Sequence, residues 1–253
     1  MVARVTRNDN VMFNPQAPPS DISTRSLVFR QALAAAFKSR RQHLPPAPAS
    51  LPALLAGCQN GVQGLLSKPG CRDALGEIRA RLFHTPGRDA EAQAWWHEGV
   101  ASAVFAARVA QLTQVSVPAS FLGALLHRSG EALALKMLAR VELEYRMKLD
   151  SNSRREWCAT HATELAERLV RAWNLSAEIG ECVLGWNRFG ELAELGGGSG
   201  AVYFGRLFAI EFLQPQFCVP SALDHAAADL GLSAGLVGQV RQEEVQSLIR
   251  ALD

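Results

Sequence analysis

Six histidines, five cysteines and five tryptophans have the widest chemical repertoire in this 253-residue sequence, and their spacing narrows what they can do. Two ligands four residues apart on a helix would share one face and could begin a metal site. His97 and His161 each stand in a helical stretch without a second ligand at i+4. They could serve a relocated site, but the pattern is that of histidines hydrogen-bonding in a core or at a surface; His43, His84 and His225 offer less. Cys58, Cys71, Cys158, Cys182 and Cys218 are odd in number, scattered and never paired as C-x-x-C. That suggests neither a zinc site nor a disulfide framework, but small buried hydrophobes in a reducing compartment. Trp95, Trp96, Trp173 and Trp186 could stack on a nucleotide base, yet at helical spacing among Ala, Leu and Val they read as core. The tract Gly196, Gly197, Gly198, Ser199, Gly200 invites a phosphate-loop reading. No Lys-Ser or Lys-Thr follows it and no strand precedes it, so it is expected to be a flexible link between helices. No Ser-His-Asp or Cys-His pair has local spacing that supports nucleophilic catalysis.

The elements that must position these residues are helices. Apolar residues recur at periods of three and four, and no sustained run alternates over strand length. Trp96, Val100, Ala103, Val104 and Ala107 form one stripe, and Ala162, Leu165, Ala166, Leu169, Val170 and Trp173 another. Ser176 is expected to cap a helix whose Ile179, Cys182, Val183 and Trp186 face a core. Ser221 with Asp224 suggests a further cap after Pro220, and Val237, Val240, Val245, Leu248, Ile249 and Leu252 give the last helix its apolar side. About nine to eleven helices and an all-α bundle follow from these periods.

Charge is unevenly distributed. The net charge of +2 divides into +5 over residues 1–43, carried by Arg4, Arg7, Arg25, Arg30, Lys38, Arg40 and Arg41 against Asp9 and Asp21, and −3 over the rest. Residues 1–25 read as a flexible tail. Residues 26–43 read as a basic amphipathic helix with Phe29, Leu33, Ala36 and Phe37 on one face, stopped by Leu44, Pro45, Pro46 and Pro48. A helical domain is expected over residues 44–253. No apolar run approaches the roughly 20 residues that cross a bilayer, and Asp9, Asn14, Pro15 and Asp21 stand where a signal peptide needs an apolar stretch. A cytoplasmic chain that is not an integral membrane protein is expected.

The segment from Trp96 to Leu135 resembles the central signature of the HDOD family, a divergent branch of the HD superfamily. Trp96, His97 and Glu98, then Ala106, Ala107 and Arg108, then Leu125, Leu126, His127, Arg128, Ser129 and Gly130 follow its spacing. Further on, His161 and then Trp173, Asn174, Leu175, Ser176 and Ile179 resemble the family's His and Trp-x-Leu-Pro segments. Trp186 and Asn187 fall where two histidines are common, and Leu44 to Pro48 resemble the domain's Leu-Pro-x-x-Pro start. The resemblance covers about residues 44–252 and implies an all-α, multi-helix HD/HDOD-like bundle.

The resemblance also implies where the metal ligands of catalytic HD proteins would stand. The first His becomes Glu98, the adjacent His and Asp become His127 and Arg128, and the late Asp falls at Ile210 beside Glu211, so only His127 is retained. A guanidinium offers no lone pair. Unit charges about 4 Å apart interact by about 4 kcal/mol at an effective dielectric near 20, and a divalent ion doubles that, so Arg128 would oppose a metal. Glu98 and Arg128 are instead expected to form an ion pair in the volume of the lost site, with His161 and Trp186 beside a remnant pocket.

The resemblance therefore implies a non-enzymatic bacterial signal-transduction or regulatory module without cofactor or metal, working through another signalling protein. A second copy of the chain is a further candidate partner; a cyclic dinucleotide or nucleotide ligand has no residue pattern behind it. Two alternatives carry different chemistry. One is a divergent metal-dependent nucleotide phosphohydrolase rebuilt from His127, Glu98, His161 and Glu211. The other is binding of an anionic surface or nucleic acid by the basic arm, against which its three-alanine apolar face favours packing on the domain or on a second subunit.

Overall fold

Small residues dominate the middle of the longest helix, and that composition lets other helices close around it. The computed structural model describes residues 22–38, 44–68, 70–186, 197–217, 220–229, 233–241 and 243–252, and among them the regular elements are all helical. In chain order they are α1 (Ile22–Lys38), α2 (Leu51–Cys58), α3 (Gly61–Ser67), α4 (Cys71–Ile78) widening into a π turn at Arg79–Phe83, α5 (Asp89–Thr113), α6 (Val117–Leu126) and α7 (Ser129–Tyr145). There follow α8 (Ser151–Ala172), α9 (Ala177–Gly185), α10 (Gly197–Leu213), α11 (Pro220–Asp229), α12 (Ala234–Val240) and α13 (Glu243–Leu252). The helices outnumber the nine to eleven expected because residues 51–83 break at Asn60 and Gly70 into short pieces, and because the expected last helix is two, with Val237 and Val240 on α12 and Val245, Leu248, Ile249 and Leu252 on α13.

Every residue from Val100 to Ala107 is buried, so α5 has no solvent face for two turns and lies at the centre. The predicted stripe on α5 is buried, and so is the face opposite it. Helix α10 packs closely on α5 because Gly205 has no side chain: a Cβ there would lie 2.6 Å from both Ala106 N and Ser102 O. Helix α6 covers another side of α5, α9 lies on α6, and α7 pairs with α8. At that pairing Gly130 faces the Ala162 carbonyl so closely that any Cβ would collide with backbone. Ser176 caps α9 as expected, its Oγ accepting from Ile179 N at 3.3 Å.

The basic helix packs on the domain. Phe29, Leu33 and Phe37 of α1 are buried, with Phe29 edge-on to Tyr145 of α7 and Phe37 against Trp157 and His161 of α8. It starts at Ile22 rather than near Ser26: once the turns carrying Phe29 and Leu33 are packed, each added residue gains a backbone hydrogen bond. Residues 1–21 of the expected tail, and Arg40, Arg41 and His43, lie outside the described residues. The proline segment is fastened by Trp173, whose indole Nε1–H donates to Pro45 O at 2.8 Å.

Two loop and cap expectations are corrected. Gly197, Gly198, Ser199 and Gly200 form the first turn of α10 rather than a flexible link, with Gly196 outside the described residues. A Cβ at Gly197 would meet Val115 Cγ1 at 2.5 Å and one at Gly198 would meet Cys182 Sγ at 2.6 Å, so these glycines admit close packing. Ser221 lies inside α11, which already begins at Pro220, a residue suited to a first helical turn.

Candidate functional site

Glu98 projects from α5 toward the junction where α6 ends at His127 and α7 begins after Arg128. The expected pair is present at long range, with Arg128 Nε 3.9 Å from Glu98 Oε2. The nearer cation is Arg206 of α10, whose Nε–H donates to Glu98 Oε1 at 3.0 Å. Arg128 divides its charge, reaching Glu131 Oε1 at 3.3 Å through Nη1.

His127 completes the cluster. Its side chain is fully buried, and Nδ1 lies 2.6 Å from Ala124 O. A carbonyl only accepts, so Nδ1 carries a proton. Nε2 then faces Glu98 Oε1 at 3.5 Å, beyond a well-formed hydrogen bond. Burial by itself pushes the Glu98 carboxyl up. The His127 ring and the Arg128 and Arg206 guanidiniums outweigh it and hold the group at about 2.

Two tryptophans form the walls. Arg206 Cζ lies 4.8 Å from the Trp186 ring centre, and His127 meets that ring edge-on at 5.0 Å. Arg128 Cζ lies 5.4 Å from the Trp95 ring centre. Trp95 and Trp186, both half-buried, thus carry guanidiniums, while Trp96 and Trp173 are core. Beside the cluster is a cavity of about 170 Å³ lined by His127, Glu131, Thr163, Val183, Leu184, Trp186 and three alanines of α8. That is below the roughly 300 Å³ at which small-molecule sites begin.

Of the other expected residues, only Trp186 belongs to this cluster. Trp186 lines the cavity, whereas His161 stacks on Phe37 at 4.1 Å and on Trp157 at 5.1 Å, and burial holds its imidazole below the usual range. Glu211 is held by Arg241 in a two-pronged pair at 3.0 and 3.1 Å. Ile210 is half-buried on α10, one turn beyond Arg206, and Asn187 lies outside the described residues. His127, Glu98, His161 and Glu211 therefore do not form one ligand set, and among the described residues no group of three or more His, Cys, Asp or Glu is arranged to hold a metal.

A divalent metal would need lone pairs where two guanidiniums point, and the one carboxylate present is already engaged by them and by the His127 ring, so the donor set does not fit one. What the arrangement can do is fasten α5, the α6–α7 junction and α10 around one half-buried charge. Arg206 was missed in the sequence. Its signal is that it is the one basic residue of α10, a helix otherwise apolar up to Glu211, and such a residue needs a carboxylate from elsewhere.

Residues 76–187 match the family model of the HDOD domain. The match runs from the end of α4 past α9 and takes in Glu98, His127, Arg128, His161 and Trp186, but not α10. No curated protein and no solved structure matches the chain.

Proposed function

Because the chain carries an HDOD domain over residues 76–187, we propose that it is a non-enzymatic signal-transduction or regulatory module of the bacterial cytoplasm, acting by contact with another protein. The observation that supports this reading most is the enclosure of Glu98 by Arg206, Arg128 and His127, where Glu98, His127 and Arg128 are positions at which the family resemblance puts metal ligands. A carboxyl held at about 2 is a poor general base near neutral pH, and a cation-lined site repels a divalent ion. Other features agree with a cytoplasmic protein. Cys58, Cys71, Cys158 and Cys182 are buried as free thiols, and no described helix is long and apolar enough to cross a membrane. The small cavity beside Trp186 argues against a nucleotide as the module's ligand. The packing of α1 leaves its apolar face unavailable to a membrane surface.

The test is metal content by mass spectrometry on protein purified without chelator from medium supplemented with manganese, iron and nickel, together with phosphate release from a nucleotide panel. Near-zero metal and no hydrolysis are expected. About one or two ions per chain with hydrolysis, as metal-centred chemistry requires, would overturn the reading in favour of a phosphohydrolase.

A further inference from the structure

A second concave surface lies away from the Glu98 cluster, between the loop before α5 and the C-terminal end of α7. It encloses about 510 Å³ and is lined by Pro86, Arg88, Ala139, Leu143, Arg146 and Lys148, with Gly87 and Glu142 in its wall. That volume is within the range of sites that hold a ligand group, and the lining combines apolar surface with three cations.

The cleft is built around a buried carboxylate. Glu142, 6% exposed at its side chain, accepts from Arg88 Nη2 at 2.6 Å on one wall and from Leu149 N at 2.8 Å on the other. Arg146 N and Met147 N donate to the carbonyls of Leu143 and Glu142, so the chain leaves α7 along a fixed path. Glu142 is thereby committed to Arg88 and the turn. Arg146 and Lys148 are exposed and have no ionic partner among the described residues. Leu143 is 80% exposed, the most exposed large hydrophobic residue described, and it stands at the rim of this cleft.

We propose that this surface docks an acidic peptide segment of a partner protein, with an apolar side chain of the segment seated against Leu143 and Pro86 and its carboxylates paired with Arg146 and Lys148. The proposal rests on the reading of the chain as a protein-binding module and names the chemistry of the partner. Charge complementarity selects the occupant: two uncommitted cations beside apolar surface match carboxylates flanking an apolar anchor. A small anion filling the cleft would leave Leu143 in water, whereas a peptide longer than the cleft covers both.

The test is a fluorescence-anisotropy titration of the full chain with a labelled twelve-residue peptide carrying four glutamates around a central Leu-Phe pair, and with its Gln-for-Glu counterpart. The acidic peptide is expected to bind saturably and at least about tenfold tighter than the Gln peptide. Arg146→Asn combined with Lys148→Gln should weaken it at least about tenfold and Leu143→Ser about fivefold. Melting should be unchanged, because these side chains are exposed and Asn tolerates the left-handed φ of 51° at position 146.

Absence of saturable binding, equal affinity for the two peptides, or variants that bind like the parent would each overturn the proposal. So would equal displacement by hexanoate or by a single-stranded oligonucleotide, which would assign the surface to small carboxylates or to polyanions at large. A metal-free, non-hydrolytic chain that ignores the acidic peptide sinks this proposal alone; a metal-loaded hydrolytic chain sinks the regulatory reading whatever the peptide does.

Discussion

Glu98 holds the most consequential charge in the molecule because three cationic or ionisable groups from two other parts of the chain converge on it. Removing one member of such a half-buried set leaves the others less well compensated and costs about 1–3 kcal/mol. Chemical denaturation should therefore rank Glu98→Ala as the most destabilising change, Arg206→Ala next and Arg128→Ala least. Arg128 is farthest from the carboxylate and keeps Glu131, and Glu98 keeps Arg206 without it. A ranking with Arg128 first would mean that the family-derived pair, not Arg206, holds the cluster. Acid should act through the same residue. Its folded-state carboxyl is depressed from 4.5 to about 2, so its contribution is complete above the unfolded value and disappears as pH falls through that interval. Comparing the parent with Glu98→Gln in urea between pH 6 and pH 2 should isolate a loss on the order of 3 kcal/mol; parallel curves would refute the assignment.

Two element contacts decide how the helices close. Gly205→Ala would put a methyl within 2.6 Å of Ala106 N and Ser102 O, backbone atoms that cannot rotate away. Overpacking of this kind costs about 1–3 kcal/mol, and a lowered melting midpoint with retained helical circular dichroism is the expected result. Helix α1 is the second case. Phe37 is buried against Trp157 and His161, so Phe37→Ala should cost about 3 kcal/mol. Deleting residues 1–43 should expose the apolar surface of α7 and α8 and give aggregation or a much lower melting midpoint; a deletion variant as stable as the parent would show that α1 contributes little. Periodicity made α1 legible as an amphipathic helix. Its docking site was not legible, because Tyr145, Trp157 and His161 belong to stretches with stripes of their own.

For the whole molecule, one hydrophobic core extends from α1 to α13, and the thiols report on it. Burial pushes the Cys158 and Cys182 thiols up to about 12 and raises those of Cys58 and Cys71. At pH 8 these four thiols should react with a disulfide reagent only on unfolding, and together, as one cooperative core requires. Fast reaction of two or more in native protein would show that part of the core opens independently.

The sequence by itself determined the helical class, the buried stripes of α5, α8 and α9, the Ser176 cap and the match to the HDOD domain over residues 76–187, because each depends on residues a few positions apart or on a motif in fixed order. The resemblance also led to the expectation that Arg128 stands at a metal-ligand position. Only the tertiary structure decided that Arg206, from a helix more than a hundred residues away, is Glu98's nearest partner. It likewise separated His161 and Glu211 from the cluster and drew the glycine tract into a helix. Partner choice between distant residues depends on which helices can approach, and Gly205, Gly130 and Gly198 set that approach through atoms they lack, a property that periodicity does not record.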